Sequence, residues 1–547
     1  MDNTRLFLWL ALLAMLWLNY DAWLRDRASV QQTARVPPAG EVVPADDDVP
    51  ELGAASVDAP DVELPAADAR APAMPIRVRT DVLDVVIDTR GGDLVRADLL
   101  DYPVDKDRPD VLVRLLDYSP ASWWVFQSGL TTAGRRDGPT HQAEWRAESS
   151  SYELAPGEDE LVVTLTWVGD GGLDARKVYT FRRGSYRIDL DLVLENRAET
   201  PWRGAPYVRM QRLHQPVDRS FTSVDSYSFT GPVLYNGEKS EKIDVDDLRS
   251  RPKSFTATGG WLAGIQHHFL AAAVPPADAP FQFDATVSDS RYLLTALGEP
   301  QQVGADMQQV FSFRLFVGPK VQDQLRETAD GLVLTVDYGV LTILAQPLFW
   351  VLSKIHDVVG NWGWSIVIVT LLIKLAFYKL TETSGRSMAK MRKIAPRLKA
   401  LQERYKDDRQ ALSRAMMELY RKEKINPAAG CLPILVQMPF FFAFYWVLIE
   451  TVEMRQAPFM LWIDDLSSRD PYFVLPLLMG AAMFLQTKLN PAPPDPVQAR
   501  VMQIMPIVFT VFFALFPSGL VLYWLTNTLV SIAQQWRINK IVAREAG

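Results

Sequence analysis

The chain has 547 residues, enough for several domains, and its net charge of −8 excludes a generally basic nucleic-acid binder. A single cysteine, Cys431, excludes an internal disulfide framework and a cysteine-based zinc site. The five histidines form no HExxH pattern, and GxxxxGKS/T, GxGxxG and GxSxG are all missing, so the common catalytic signatures fail together.

Residues 6–18 are thirteen uninterrupted apolar side chains. Bulky and charged residues from Asn19 to Arg27 follow where a signal peptide would carry a small-residue cleavage site, so an uncleaved anchor over 1–24 is expected. A linker then fills 25–75. Between Glu41 and Arg70 it holds nine acidic residues and no aromatic one, too little apolar surface to fold, and the expectation is a disordered tether.

Over 76–330 the pattern has period two. Ile188, Leu190, Leu192 and Leu194 share one face, while Arg187, Asp189, Asp191 and Glu195 take the other, as a half-buried antiparallel strand requires. Arg183, Gly184 and Ser185 separate this run from 178–181, a hairpin signal, and Gly91-Gly92 and Gly259-Gly260 mark turns. The expectation is a large antiparallel β-sandwich of about 250 residues, near the upper limit for one core. Its aromatic residues are expected in the core rather than on sugar. The stretch 331–361 is apolar on one face from Tyr338 to Val359, with Lys354, His356 and Asp357 near its end. It predicts an amphipathic helix lying on the outer membrane surface, with a buried helix of the sandwich as the competing reading.

Five further apolar runs follow, at 362–378, 427–449, 472–487, 501–516 and 520–534, which soluble cores rarely repeat so closely. The segment 379–426 carries 14 Lys and Arg against 6 Asp and Glu, whereas 450–471 has 2 basic residues against 5 acidic. By the positive-inside rule 379–426 and both termini are cytoplasmic, which closes on six spans and puts the sandwich in the periplasm of a bacterial inner membrane protein. The segments 488–500 and 535–547 then lie on the cytoplasmic side. Within 379–426, Met391, Ile394, Leu398, Leu401 and Tyr405 recur at steps of three and four, Asp407-Asp408 interrupts, and Leu412, Met416 and Leu419 resume, predicting a helical hairpin with a narrow apolar seam. Its basic face suits lipid headgroups, ribosomal RNA or a partner protein.

Polar residues inside the apolar runs are the candidate site. Lys374 interrupts the second run, where lysine costs about 2.5–3.5 kcal/mol at a helix centre on insertion scales. Snorkelling is one account, since Lys374 precedes Lys379 by five residues, about 7.5 Å of rise. Gln437 in the third run and Thr526, Asn527, Thr528 and Ser531 in the last favour another, a wet cavity shared with Lys374 and opening toward the cytoplasm. The runs 501–516 and 520–533, about 24 and 21 Å of helix, are short against a hydrocarbon core of about 30 Å and would thin the bilayer beside them. Pro517-Ser518-Gly519 leaves room only for a tight outer turn between them.

Several blocks in order resemble the YidC/Oxa/Alb insertase family in its Gram-negative form, over essentially the whole chain. They are Arg90-Gly91-Gly92-Asp93, Asn426-Pro427 through Gly430-Cys431, Gln437-Met438-Pro439, Arg455-Gln456-Ala457-Pro458-Phe459, Asp470-Pro471-Tyr472 and Phe516-Pro517-Ser518-Gly519-Leu520. The resemblance implies five core helices around a hydrophilic groove, closed outward and open to lipid and cytoplasm, plus the N-terminal anchor. It places Lys374 as the single positive groove residue, Thr370 and Gln437 at polar groove positions, and Tyr523, Trp524, Thr526 and Asn527 on the helix facing them. The hairpin residues Met391, Ile394, Leu398, Leu401, Leu412 and Met416 would form a substrate-capturing element, and the sandwich a non-catalytic, sugar-mutarotase-like domain. Two departures stand out: Lys374 where relatives usually carry Arg, and Trp524 where Tyr is common.

The function implied is insertion of nascent membrane proteins, alone or beside the Sec translocon, with ribosome or signal-recognition-particle delivery and membrane lipids as further partners, and with no cofactor, metal or enzymatic step. A secondary transporter would show paired halves with broken helices, and a membrane-anchored sugar enzyme would show carboxylates or His in a sandwich cleft.

Overall fold

The computed structural model describes residues 74–133, 138–169, 171–215, 228–405, 408–423, 432–489 and 496–544. The expected first span (1–24), the acidic tether up to residue 73 and the Asn426 to Cys431 block lie outside the described residues.

The alternating segment folds as two sheets, one of eleven strands and one of nine. Strand Leu173–Arg182 turns through Gly184 (φ +68°) and pairs antiparallel with Arg187–Asn196, which pairs antiparallel with Met307–Pro319. Ile188, Leu190, Leu192 and Leu194 all point into the core. One pair departs from the antiparallel rule: Pro75–Arg79 runs parallel to Ser151–Glu153. Trp124–Thr132 and Phe269–Val274 are buried on both faces, as central strands covered on each side are.

The Arg90-Gly91-Gly92-Asp93 block is a tight corner. Gly91 and Gly92 take φ of +78° and +61°, and a Cβ on Gly91 would lie 2.3 Å from the His141 carbonyl. The corner carries a buried lysine: Lys177 Nζ donates to the Gly91 carbonyl at 2.5 Å and to the Ser128 carbonyl and hydroxyl at 2.8 Å, with Asp93 Oδ1 3.7 Å away. Burial pushes this amine down to about 8, against the opposing pull of Asp93.

Helices α1 (Val245–Ser250) and α2 (Gln322–Thr328) belong to the sandwich. The stretch expected as one amphipathic helix over 331–361 is divided. Residues Leu332–Thr335 and Gly339–Leu341 are 3-10 turns, each opened by a positive-φ glycine (Gly331, Gly339), and they bury Leu332, Val336 and Tyr338 in the core. Only then does α3 (Thr342–Val359) begin. It buries Ala345, Leu348, Phe349 and Leu352 against α4 (Trp362–Ala376) and α7 (Leu432–Glu450) and leaves Ile343, Trp350 and Val358 exposed. Gly360, left-handed at φ +68°, ends α3, and the Asn361 side chain accepts the Trp364 N–H to begin α4.

Beyond α4 come α5 (Tyr378–Arg404), α6 (Arg409–Lys422), α8 (Val474–Leu489), α9 (Pro496–Phe513) and α10 (Ser518–Arg544). α10 packs on α8, α4, α5 and α7, which makes it the axis of the bundle. No single described helix is long and apolar enough to cross a membrane alone; α4 and α5 meet that measure together, bent by 65°. The last two apolar runs sit in longer helices than the runs themselves: α9 is 18 residues, about 27 Å, and α10 is 27 residues, about 40 Å. For the last run the shortness expected from hydropathy belongs to the apolar stretch and not to the helix, because α10 continues as polar helix through Gln534 and Arg537, whereas α9 ends at Phe513 and stays shorter than a hydrocarbon core of about 30 Å.

The outer turn is closed by backbone bonds. Ser518 and Gly519 N–H groups at the start of α10 donate to the carbonyls of Ser468 and Leu466 at 2.6 and 2.9 Å. Asp470 accepts from the Trp462 indole (3.0 Å) and from the N–H groups of Tyr472 (3.0 Å) and Leu475 (2.6 Å), which caps α8. Arg455 and Gln456 reach the Pro103 carbonyl at 2.7 and 3.1 Å, and the last residue of α7, Glu450, forms a buried ion pair with Lys320 at 3.2 Å. These contacts bind the helical part to the sandwich.

Candidate functional site

Helices α4, α7 and α10 bring together the polar side chains that hydropathy alone would have kept apart. Lys374 lies in the last turn of α4 and is only 6 % exposed. Its Nζ donates to Ser531 Oγ at 2.7 Å and to Gln437 Oε1 at 3.2 Å. Ser531 Oγ in turn donates to the Asn527 carbonyl at 2.7 Å, and Gln437 Nε2 donates to Asn527 Oδ1. Gln437 is thus oriented by both ends, its oxygen toward the amine and its nitrogen toward α10. Two of the three ammonium donors have protein acceptors, both neutral, and among the described residues no carboxylate pairs with Lys374.

The chain backbone joins the arrangement. Gln534 Nε2, on the same face of α10 as Ser531, donates to the Lys374 carbonyl at 3.2 Å. A recess beside the amine is lined by Ile373, Lys374, Phe377, Leu380, Thr381, Val436 and Gln437, and its free space is about 20 Å³, room for about one water. The wet cavity expected from the sequence is narrow here.

The other expected site residues divide. Tyr523 stacks on Phe444 (ring centroids 4.5 Å apart) and interacts through its hydroxyl with Gln437, so it borders the cluster. Thr370 is buried but donates its hydroxyl to the Ile366 carbonyl at 2.7 Å, within its own helix. Trp524 packs edge-on against Phe441 at 4.8 Å and tilted against Phe513 at 5.3 Å, and its buried indole N–H finds no hydrogen-bond acceptor among the described residues. Thr526 is buried on α10. Sequence reasoning misses Gln534 because it is the last residue of the expected span 520–534, just past the apolar residues that end at Ala533; its spacing from Asn527 and Ser531, steps of four and three, is the available signal.

In α5 and α6, Ile394 and Leu398 are buried against Met391, Met416, Leu419 and Tyr420, while Leu401 and Leu412 are half-buried outside that cluster. Asp408 caps α6 through the N–H groups of Gln410 and Ala411, and Arg397 pairs with Glu423 at 2.8 Å across the two helices.

Two family descriptions match: "YidC periplasmic domain" over residues 75–351 and "60Kd inner membrane protein" over 354–545. A relative from Thioalkalivibrio sulfidiphilus, named membrane protein insertase YidC, is 49% identical over 100% of this chain and 99% of its own length. The chain belongs to the YidC membrane protein insertase family. A second insertase of that name, from Methylococcus capsulatus, is 51% identical over 86% of each chain. A crystal structure titled as an active YidC insertase with its first transmembrane domain resolved is similar at 18% identity, covering 85% of this chain and 92% of that one, with a TM-score of 0.38. The two family descriptions assign 75–351 to a periplasmic domain and 354–545 to an inner membrane part, and the division falls within α3, close to where the sandwich gives way to the helical bundle. The family is one of insertases, not enzymes.

Proposed function

We propose that this chain inserts nascent membrane proteins into the bacterial inner membrane, and that Lys374 receives the acidic part of a client's polar segment. One observation carries the reading: a buried ammonium that, among the described residues, is held only by neutral acceptors and has a donor to spare. Burying a charge without a counter-charge is costly, so a cluster of this kind favours an anionic visitor. Ser531 and Gln437 hold the amine in place, and the client carboxylate supplies the charge that the protein withholds.

In this reading six spans place both termini in the cytoplasm, and the sandwich stands in the periplasm. The exposed apolar side chains of α8 and α9, among them Leu477, Phe484, Ile507 and Val511, face lipid, as do Ile343, Trp350 and Val358 of α3. The α5–α6 pair meets the client first, with its basic face toward lipid headgroups or the delivering ribosome and signal-recognition-particle pathway. The client's apolar segment then leaves sideways into the bilayer, driven by its own transfer free energy, alone or beside the Sec translocon.

The experiment is depletion of the host insertase with complementation by Lys374→Gln. The expected result is slowed insertion of clients with acidic tails relative to clients whose tails are neutral. Equal rates for both classes would remove the electrostatic part of the proposal.

A further inference from the structure

The α4–α5 junction bends by 65° at Phe377, and Lys374 stands in the turn just before the bend. The carbonyls of a final helical turn lack donors from within their own helix, and any outside donor that satisfies one also pins that turn in space. For Lys374 that donor is Gln534, at 3.2 Å and only 7 % exposed. The other end of the same amide, Oε1, is buried with no hydrogen-bond partner among the described residues, so the side chain is held there for its N–H alone. Ser531 sits three residues earlier on α10 and accepts from the Lys374 amine. One face of α10 therefore grips Lys374 twice, by its side chain and by its backbone.

We infer that Gln534 is a positioning residue for the client-reading amine: its bond to the Lys374 carbonyl holds the last turn of α4 against α10, so that Nζ reaches Ser531 and Gln437 with a donor left over. The inference rests on the reading of Lys374 given above. It gives the polar continuation of α10 a part in selecting clients by tail charge, although Gln534 lies beyond the apolar stretch. The Lys374 carbonyl bond joins two helices packed against each other, and its loss frees the turn that carries the amine without removing the amine itself.

The test compares Gln534→Met, close in size and lacking the donor, with wild type in cells depleted of the host insertase, using one client in acidic-tailed and neutral-tailed versions. The expected result is a fall in the acidic-to-neutral insertion ratio of about threefold to tenfold, the range one hydrogen bond supports. In a Lys374→Gln background the same substitution should leave the ratio where Lys374→Gln alone put it, because both changes act through one amine. A capping role alone would lower insertion of both clients alike and add to Lys374→Gln, and that outcome overturns the inference. If Lys374→Gln lowers the ratio while Gln534→Met does not, the inference fails and the role of Lys374 stands. If Lys374→Gln itself leaves the ratio unchanged, both fall. Should the Met variant not accumulate, Gln534→Ser, polar but too short to reach the carbonyl, is scored in the same way.

Discussion

Lys320 and Glu450 join the sandwich to the end of α7, and their pair is the place to test how firmly the two parts are bound. Lys320 is 2 % exposed and Glu450 5 %, their N···O distance is 3.2 Å, and among the described residues the one further acceptor near the amine is the Thr335 carbonyl at 3.4 Å. Burial pulls the Lys320 amine below its ordinary value, with Glu450 opposing it, so in the intact pair desolvation outweighs the attraction. Lys320→Met removes the attraction and keeps the desolvated carboxylate, a loss of about 3–5 kcal/mol. For a cooperative unit of about 250 residues, that lowers the sandwich's apparent Tm by about 6–20 °C. The double variant Lys320→Met with Glu450→Leu removes both charges and should regain most of the loss or exceed wild type. The assay is thermal unfolding of the purified full chain in detergent, read by tryptophan fluorescence, run as a double-mutant cycle. A double variant as unstable as the sum of its single changes would refute the reasoning, since it would mean that the two charges do not act as a pair.

Two further predictions concern a buried carboxyl just after α7 and a tight corner of the sandwich. Glu453, buried with one carboxylate oxygen unpartnered among the described residues, is raised by desolvation from 4.5 to about 7, so the folded state holds a proton that the unfolded chain releases. Its contribution, about 3 kcal/mol, is fully present below pH 4.5 and is lost as pH rises from 4.5 to 7. Glu453→Gln should flatten the fall of apparent Tm across that window. Gly91→Ala forces a Cβ to 2.3 Å from the His141 carbonyl at a φ of +78°, and should cost at least about 1–3 kcal/mol in the unfolding of the sandwich.

The sequence revealed the parts whose physics is periodic. Alternation over 187–194 marks a strand because one sheet face is wet, and steps of three and four mark Ile394 and Leu398 because one helix face is covered. It was silent wherever both faces are covered, as in Trp124–Thr132, or where glycine breaks a run, as at Gly331 and Gly339. In the site, hydropathy marked Lys374 and Gln437 as misplaced polar groups, and the structure joins them by a hydrogen bond. It did not distinguish Thr370, whose hydroxyl turns back on its own helix, from Ser531, whose hydroxyl faces the amine, because one residue type serves either use. Gln534 escaped because the apolar stretch ends before the helix does.

Lysine at 374, where the family resemblance implies arginine, constrains how such a site would work. A guanidinium spreads five donors over a rigid plane and can grip a carboxylate by two parallel bonds; an ammonium is a compact charge with three donors and no preferred plane. Here Ser531 and Gln437 consume two of the three donors, and Gln437 is itself locked by Asn527. On the proposed reading of Lys374, the remaining N–H makes one charge-assisted bond to a passing carboxylate, enough to attract it and too little to clamp it. An insertase has to release what it binds, since the client leaves for lipid, and a single exchangeable contact satisfies that requirement better than a bidentate one. The neutral acceptors matter for the same reason: a resident aspartate or glutamate beside Lys374 would satisfy the amine permanently and leave no charge for the client to find.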